Sequence, residues 1–206
     1  MGTTRHAAVR ERRWIMDTER ARVADAFAAT PRARFLPPGV RDRASVDAPL
    51  PIGHGATNSQ PWTVRFMLER LRVPSGARVL DVGSGSGWTT ALLAHLTGPR
   101  GSVIGVEVVP ALVEFGRQNL AALALPWARI EPALPGVLGQ PDAGPFDRIL
   151  VSADAGSIPA ELEQQLADGG RMVIPAAGLM WTVARDGAGW HREADQEHRF
   201  AFVPLV

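Results

Sequence analysis

Residues Ala77 to Gly87 read ARVLDVGSGSG, an apolar run that stops at an aspartate and enters a turn with glycines at 83, 85 and 87. Val79, Leu80 and Val82 suit a strand buried on both faces, and Trp88 to Leu96 has the composition of a helix. The result is a strand-loop-helix unit whose glycines let the backbone turn sharply and approach a ligand with no Cβ in the way. The spacing is GxGxG; the GxGxxG form of dinucleotide sites would place its third glycine where Trp88 stands. A tight turn without a ligand uses glycine in the same way, so the loop needs support from the rest of the chain.

The flanking sequence extends the unit on both sides. Val64, Met67, Leu68 and Leu71 recur at helical spacing and predict a helix over Pro61 to Leu71, with Ser59 as a candidate N-cap. Downstream, a second strand is expected at Ser102 to Val106, ending at Glu107, then a helix from Pro110 to about Ala124 and a short strand at Ala128 to Glu131. Pro132 to Pro145 is a loop. A fourth strand falls at Asp147 to Ser152, a helix near Pro159 to Ala167 that Gly169-Gly170 terminates, and a fifth strand at Arg171 to Ile174. Met180 to Arg185 and Arg199 to Val206 are expected to close the sheet as an antiparallel hairpin. Strands alternating with helices at this spacing predict an α/β fold, a doubly wound, Rossmann-like parallel sheet with an antiparallel edge.

The N-terminal 30 residues mix Arg with Glu11, Asp17 and Glu19 and read as one or two solvated helices, not a transit peptide or a nucleic-acid arm. Residues 31 to 61 carry six prolines, at 31, 37, 38, 49, 51 and 61, an unusually long connection of the kind that forms lids and binding loops. The whole chain has 206 residues, 46% of them hydrophobic, which fits one domain with a sizeable core. A formal charge of +1 gives no global field toward nucleic acid or membrane. All 22 basic side chains are arginine and cysteine is absent, which removes disulfides, thiol nucleophiles and a Walker lysine. With no apolar leader, the expected location is cytoplasmic. No HExxH or comparable cluster has metal-site spacing, so no metal is expected.

In a doubly wound sheet the ligand lies beyond the carboxyl ends of the strands. The glycine loop, Glu107 and Ser152 to Ala155 all follow strand ends and should face one crevice. A carboxylate at Glu107 is placed to accept hydrogen bonds from both ribose hydroxyls of a nucleoside. A nicotinamide cofactor would need its pyrophosphate on a helix N-terminus, whereas a GxGxG turn with Glu107 suits S-adenosylmethionine, which has no phosphate. Methyl transfer is therefore preferred to hydride transfer by an NAD-dependent oxidoreductase; a non-catalytic module that keeps the cofactor pocket is the remaining alternative.

Residues Arg34 to Gly55, RFLPPGVRDRASVDAPLPIGHG, then ATNSQPW and VLDVGSGSGW, resemble the protein-L-isoaspartate (D-aspartate) O-methyltransferases. The resemblance continues in order through PFDRILVSA, GGRMVIPAAG and the final FVPLV, and its most specific piece is Thr57-x-Ser59-x-Pro61. It implies one methyltransferase domain over 1–206, with 1–60 a helical and proline-rich segment on the substrate side and 61–206 the cofactor-binding core. The implied activity is transfer of a methyl group from S-adenosylmethionine to the free carboxylate of an isoaspartyl residue in a protein or peptide; the ester then favours succinimide formation. The implied catalytic residue is Ser59, beside the acceptor carboxylate. His54, Thr57, Asn58 and Asp154 are expected on the acceptor side, and Asp81, Gly83, Ser84, Gly85, Gly87 and Glu107 around the cofactor.

Three departures qualify the resemblance. The turn after the third strand, Ala133-Leu134-Pro135-Gly136, lacks the carboxylate that the family uses for adenine. Asp154, Gly156 and Ser157 replace a stiffer segment. Asn58 puts an amide where an apolar residue is usual. The last two changes are on the acceptor side and raise the alternative of a small carboxylic acid or peptide intermediate as the methyl acceptor.

Overall fold

The computed structural model describes residues 3–187 and 189–205. The helix α1 runs unbroken over Thr3–Ala29 and ends before Pro31, which cannot continue it. Its Val23 and Ala26 are buried, and Arg22 donates to the Leu96 carbonyl at 2.9 Å.

The proline-rich connection is more ordered than its composition suggests. It holds two short 3-10 turns, Arg32–Phe35 and Pro38–Arg43, and an antiparallel hairpin of β1 (Leu50–Gly53) and β2 (Ala56–Asn58). Gly53, His54 and Gly55 all have positive φ, a turn that glycine permits at its two ends. Leu36, Leu50, Ile52 and Leu112 form a small core under this hairpin.

The helix α2 (Pro61–Leu71) buries the predicted Val64, Met67, Leu68 and Leu71. Its N-cap is Gln60 and not Ser59, and no side chain at that position caps it. Asp47 takes over from outside the helix, its Oδ1 accepting the Trp62 N–H at 2.8 Å.

Seven further strands form one sheet: β3 (Arg78–Val82), β4 (Ser102–Glu107), β5 (Ala128–Pro132), β6 (Phe146–Val151), β7 (Leu166–Ala176), β8 (Leu179–Asp186) and β9 (Gly189–Ala194). Their order is β5-β4-β3-β6-β7-β8-β9, parallel through β7 and antiparallel beyond it. Alternation along β3 sends Val79 into the core with α1 to α3 and Leu80 into the core on the opposite face. The helix α3 (Trp88–Thr97) follows β3, and α4 (Pro110–Ala121) follows β4 and stops short of the expected Ala124. The strand order reverses between the parallel neighbours β3 and β6, so loops after these two strands border one crevice.

Two further expectations fail. The helix α5 is a single turn, Ala160–Glu163, and Gly169-Gly170 does not terminate it. The glycines lie inside β7, in a bulge where the register moves from Phe146↔Leu166 to Arg148↔Arg171. A Cβ on Gly170 would stand 2.6 Å from the Ala167 carbonyl oxygen, so the bulge closes only around glycine. The second closing strand is Gly189–Ala194 and not Arg199 to Val206. This outer strand is largely exposed and shows no apolar alternation. The apolar tail turns back instead: Phe200 is buried, Asp154 N–H donates to the Val203 carbonyl, and Leu205 N–H donates to the Asp154 carbonyl. No helix among the described residues is long and apolar enough to cross a membrane.

Candidate active site

The crevice is a cleft of about 830 Å³ over the carboxyl ends of β3, β4 and β6. Its floor is Gly83, Gly85 and Glu107, with Val108 beside them. The hairpin turn and β2 contribute His54 to Thr57 on one side, and Ala133 to Gly139 form another wall. Ser152, Ala153 and the tail residues Val203 to Leu205 complete it.

The glycine loop binds itself before it binds anything else. The N–H groups of Gly83 and Ser84 both donate to the Val106 carbonyl, at 2.9 and 3.1 Å, and Gly87 N–H donates to the Ser84 carbonyl at 2.8 Å. Gly85 N–H donates to Glu107 Oε2 at 2.8 Å, while Glu107 Oε1 accepts Val109 N–H at 3.0 Å. Glu107 is thus fixed by two backbone donors and still presents carboxylate lone pairs to the cleft. Glu107 and Glu161 are its carboxylates, and no arginine lines it among the described residues. These features fit a cationic nucleoside ligand such as S-adenosylmethionine and oppose a phosphate, which needs free N–H groups or cations.

Other predicted residues support the cleft from below. Asp81 is fully buried and accepts hydrogen bonds from the Thr89 and Thr90 hydroxyls, at 2.7 and 2.6 Å, which tie β3 to the first turn of α3. Burial pushes its carboxyl from 3.8 up to about 6, the threonine hydroxyls opposing the shift and Glu107 adding to it. Asp81 Oδ1 and Ser84 Oγ are buried without a partner among the described residues. Gly87 turns away from the cleft: a Cβ there would meet Ile130 Cδ1 at 2.9 Å and the Gly116 carbonyl at 3.2 Å, so it allows α4 to approach.

On the acceptor side, His54 and Thr57 reach the cleft, whereas Asn58 and Asp154 do not line it. Asn58 is buried, its Oδ1 accepting from Arg32 Nε at 2.7 Å and its Nδ2 donating to Ser86 Oγ at 3.2 Å. Asp154 Oδ1 accepts the N–H groups of Gly156 (2.8 Å) and Ala177 (3.2 Å), joining the loop after β6 to the β7-β8 turn. Neither polar substitution therefore presents its side chain to an acceptor. Ser59 does not line the cleft either: it is half-buried next to Thr57 and Asn58, and its hydroxyl makes no hydrogen bond among the described residues.

Sequence reasoning missed Arg32, whose buried guanidinium gathers the carbonyls of Val46 (2.9 Å), Ala48 (2.8 Å), Asn58 (3.0 Å) and Ser59 (2.9 Å). Burial lowers it from 12.5 to about 10, with Asp47 opposing, so it stays charged at neutral pH. Gln165 was also missed. It accepts Gln140 N–H at 2.8 Å and donates to the carbonyls of Leu138 (2.8 Å) and Glu161 (2.9 Å), clipping the wall after β5 to α5. The tail carried one usable signal, its apolar FVPLV ending, but nothing in the sequence says that it borders the cleft.

The family model described as protein-L-isoaspartate(D-aspartate) O-methyltransferase matches residues 7–206. A protein-L-isoaspartate O-methyltransferase of Methanopyrus kandleri is 43% identical over 191 residues, 90% of this chain and 83% of that protein. One from Anaeromyxobacter dehalogenans strain 2CP-1 is 43% identical over 206 residues, covering 98% and 92%. Among solved structures, a Plasmodium falciparum protein described as a beta-aspartate methyltransferase, in complex with S-adenosyl-L-homocysteine, is similar with a TM-score of 0.78. It shows 26% identity, with 95% of this chain and 94% of that one covered.

Proposed function

The chain belongs to the protein-L-isoaspartate (D-aspartate) O-methyltransferase family, and from that premise we propose that it methylates the free carboxylate of L-isoaspartyl residues with S-adenosylmethionine. The observation that carries this reading is the pairing of Glu107 with a self-bonded glycine loop in a cleft that no arginine lines among the described residues. A nicotinamide dinucleotide finds no seat for its pyrophosphate there. The polar residues at 58 and 154, which in the sequence raise a small acid as acceptor, are engaged internally and favour no such acceptor.

Bound S-adenosylmethionine supplies an electrophilic methyl group on a cationic sulfur. Glu107 accepts from the ribose hydroxyls, and the backbone of Gly83 and Gly85 borders the same ligand. Leu134, Val137 and Val108 offer apolar contact to the base in place of a carboxylate after β5. Asp81, Ser84 and Gly87 act beneath, holding the loop's shape. The acceptor carboxylate is already an ionised nucleophile and needs no general base. Ser59, with its hydroxyl unengaged, donates to one carboxylate oxygen and leaves the other to attack, while Thr57 and His54 border the acceptor. Alignment of the reacting groups in the cleft lowers the barrier by several kcal/mol, on the order of 7 in favourable cases. The segment 1–60 is then the substrate side, with His54 to Thr57 reaching the cleft, and 61–206 the cofactor-binding core of one methyltransferase domain.

The test is methyl transfer from labelled S-adenosylmethionine, offered separately an isoaspartyl peptide, its aspartyl twin and a panel of di- and tricarboxylic acids, with base-labile methanol measured. Label on the isoaspartyl peptide alone supports repair. Label on a small acid and none on the peptide replaces the acceptor.

A further inference from the structure

Between the acceptor segment and the glycine loop runs a buried polar chain that no catalytic role uses. Arg32 Nε donates to Asn58 Oδ1, Asn58 Nδ2 donates to Ser86 Oγ, and the Ser86 carbonyl accepts from Asn119 Nδ2 at 2.9 Å. The guanidinium is 5.5 Å from the centre of the Trp88 ring, and Trp88 Nε1 donates to the Thr30 carbonyl at 3.0 Å. Trp88 opens α3 immediately after the glycine loop. Arg32, Asn58 and Ser86 are each less than a tenth exposed. A buried cation persists only where its donors are matched, and Arg32 is matched on all three nitrogens, mostly by backbone carbonyls of the segment it holds.

We propose that Arg32, acting through Asn58, is a positioning residue for methyl transfer: it fixes the backbone at Asn58 and Ser59 and ties that segment to the cofactor loop at Ser86. The proposal rests on the function assigned above. Nη2 binds the carbonyls of both Asn58 and Ser59, so the peptide on each side of the Ser59 Cα is held and the serine side chain leaves a fixed backbone. Asn58 turns that local clamp into a link between two parts of the cleft, because its amide offers an acceptor to Arg32 and a donor to Ser86 at once. Leucine or isoleucine there would offer neither. Lysine at 32 would supply three donors from one point and could not match the planar fork.

The test uses Asn58→Leu, Asn58→Asp and the milder Ser86→Ala, which cuts the link from its other end while leaving Arg32 paired. Asn58→Asp keeps an acceptor for Arg32 and lets the Ser86 hydroxyl donate. Three quantities are measured: kcat on an isoaspartyl peptide, the calorimetric Kd for S-adenosylhomocysteine, and amide hydrogen exchange of segment 56–60 in the protein alone. Asn58→Leu is expected to lower kcat by at least about tenfold, since small misplacements near the reacting groups are costly. Exchange in 56–60 should accelerate by about tenfold or more as the segment opens locally. The Kd stays within about threefold, because the cofactor's own contacts are intact. Ser86→Ala shifts kcat and exchange in the same direction by less, and Asn58→Asp recovers most of both. Unchanged kcat in Asn58→Leu, parallel loss of kcat and cofactor affinity, or no recovery in Asn58→Asp overturns the proposal. A wild-type protein that leaves the isoaspartyl peptide unlabelled removes the function assigned above instead, and the exchange rates still decide whether the link holds the segment.

Discussion

Glu107 has two backbone donors in place before a ligand arrives, one on each oxygen. Glu107→Gln would turn an amide NH2 toward Gly85 or Val109, whose N–H groups point at the same place. We expect it to weaken S-adenosylhomocysteine binding by about ten- to a hundredfold, some 1.5–3 kcal/mol in calorimetry, with a smaller change in kcat at saturating cofactor. Ser59→Ala should do the opposite, lowering kcat more than cofactor affinity; equal losses would remove the role given to its hydroxyl. Glu107 was legible in the sequence because it ends an apolar strand at a fixed distance from the glycine loop. Arg32 was not. All 22 basic side chains are arginine, and nothing local to Pro31-Arg32-Ala33-Arg34 separates the buried one from its exposed neighbours. Asn58 was noticed for its polarity and assigned to the acceptor, because a sequence cannot show that both its polar atoms find partners in remote segments.

The elements that build the cleft differ in how they are secured. The wall formed by Ala133 to Gly139 contains no helix or strand, and the side chain of Gln165 does for it what a strand partner would do. A Cβ on Gly139 would stand 2.5 Å from Gln165 Oε1, so clip and glycine fit together. Gln165→Leu leaves the Gln140 N–H and Leu138 carbonyl unmatched; it should cost about 2–3 kcal/mol in urea denaturation, with weaker cofactor binding as the wall loosens. A variant as stable as the wild type would show the clip to be dispensable. The parallel strands and α2 were legible because apolar periodicity marks them locally. The β1-β2 hairpin was not, since four- and three-residue strands, one of them containing proline, give no period. The strand β9 was missed for a related reason: it lies at the sheet edge and needs no apolar face, so the apolar tail drew the assignment to itself.

For the molecule as a whole, Asp81 sets an electrostatic cost at the centre of the sheet. Its carboxyl is raised to about 6 in the folded protein from an ordinary value of 3.8. Between those values the folded protein keeps a proton that the unfolded chain has lost. The group's contribution to stability is therefore full below about pH 4 and is lost as pH rises through about 6, by up to about 3 kcal/mol. Denaturation of wild type and Asp81→Asn from pH 4 to 7 should show the stability difference moving toward the variant by that order as pH rises. A difference that does not vary with pH would assign the buried charge elsewhere. The doubly wound architecture was visible from the alternation of elements, whereas the cleft is bordered by residues about 150 positions apart in the chain, such as Thr57 of the hairpin and Pro204 of the tail, which no local pattern brings together. The chemistry of that opening has a metabolic corollary. ATP and NAD carry the same adenosine as S-adenosylmethionine, yet a cleft with two carboxylates and loop amides already engaged repels their polyphosphate. Occupancy is therefore expected to follow the ratio of S-adenosylmethionine to its demethylated product, and added ATP or NAD should leave S-adenosylhomocysteine binding unchanged in calorimetry.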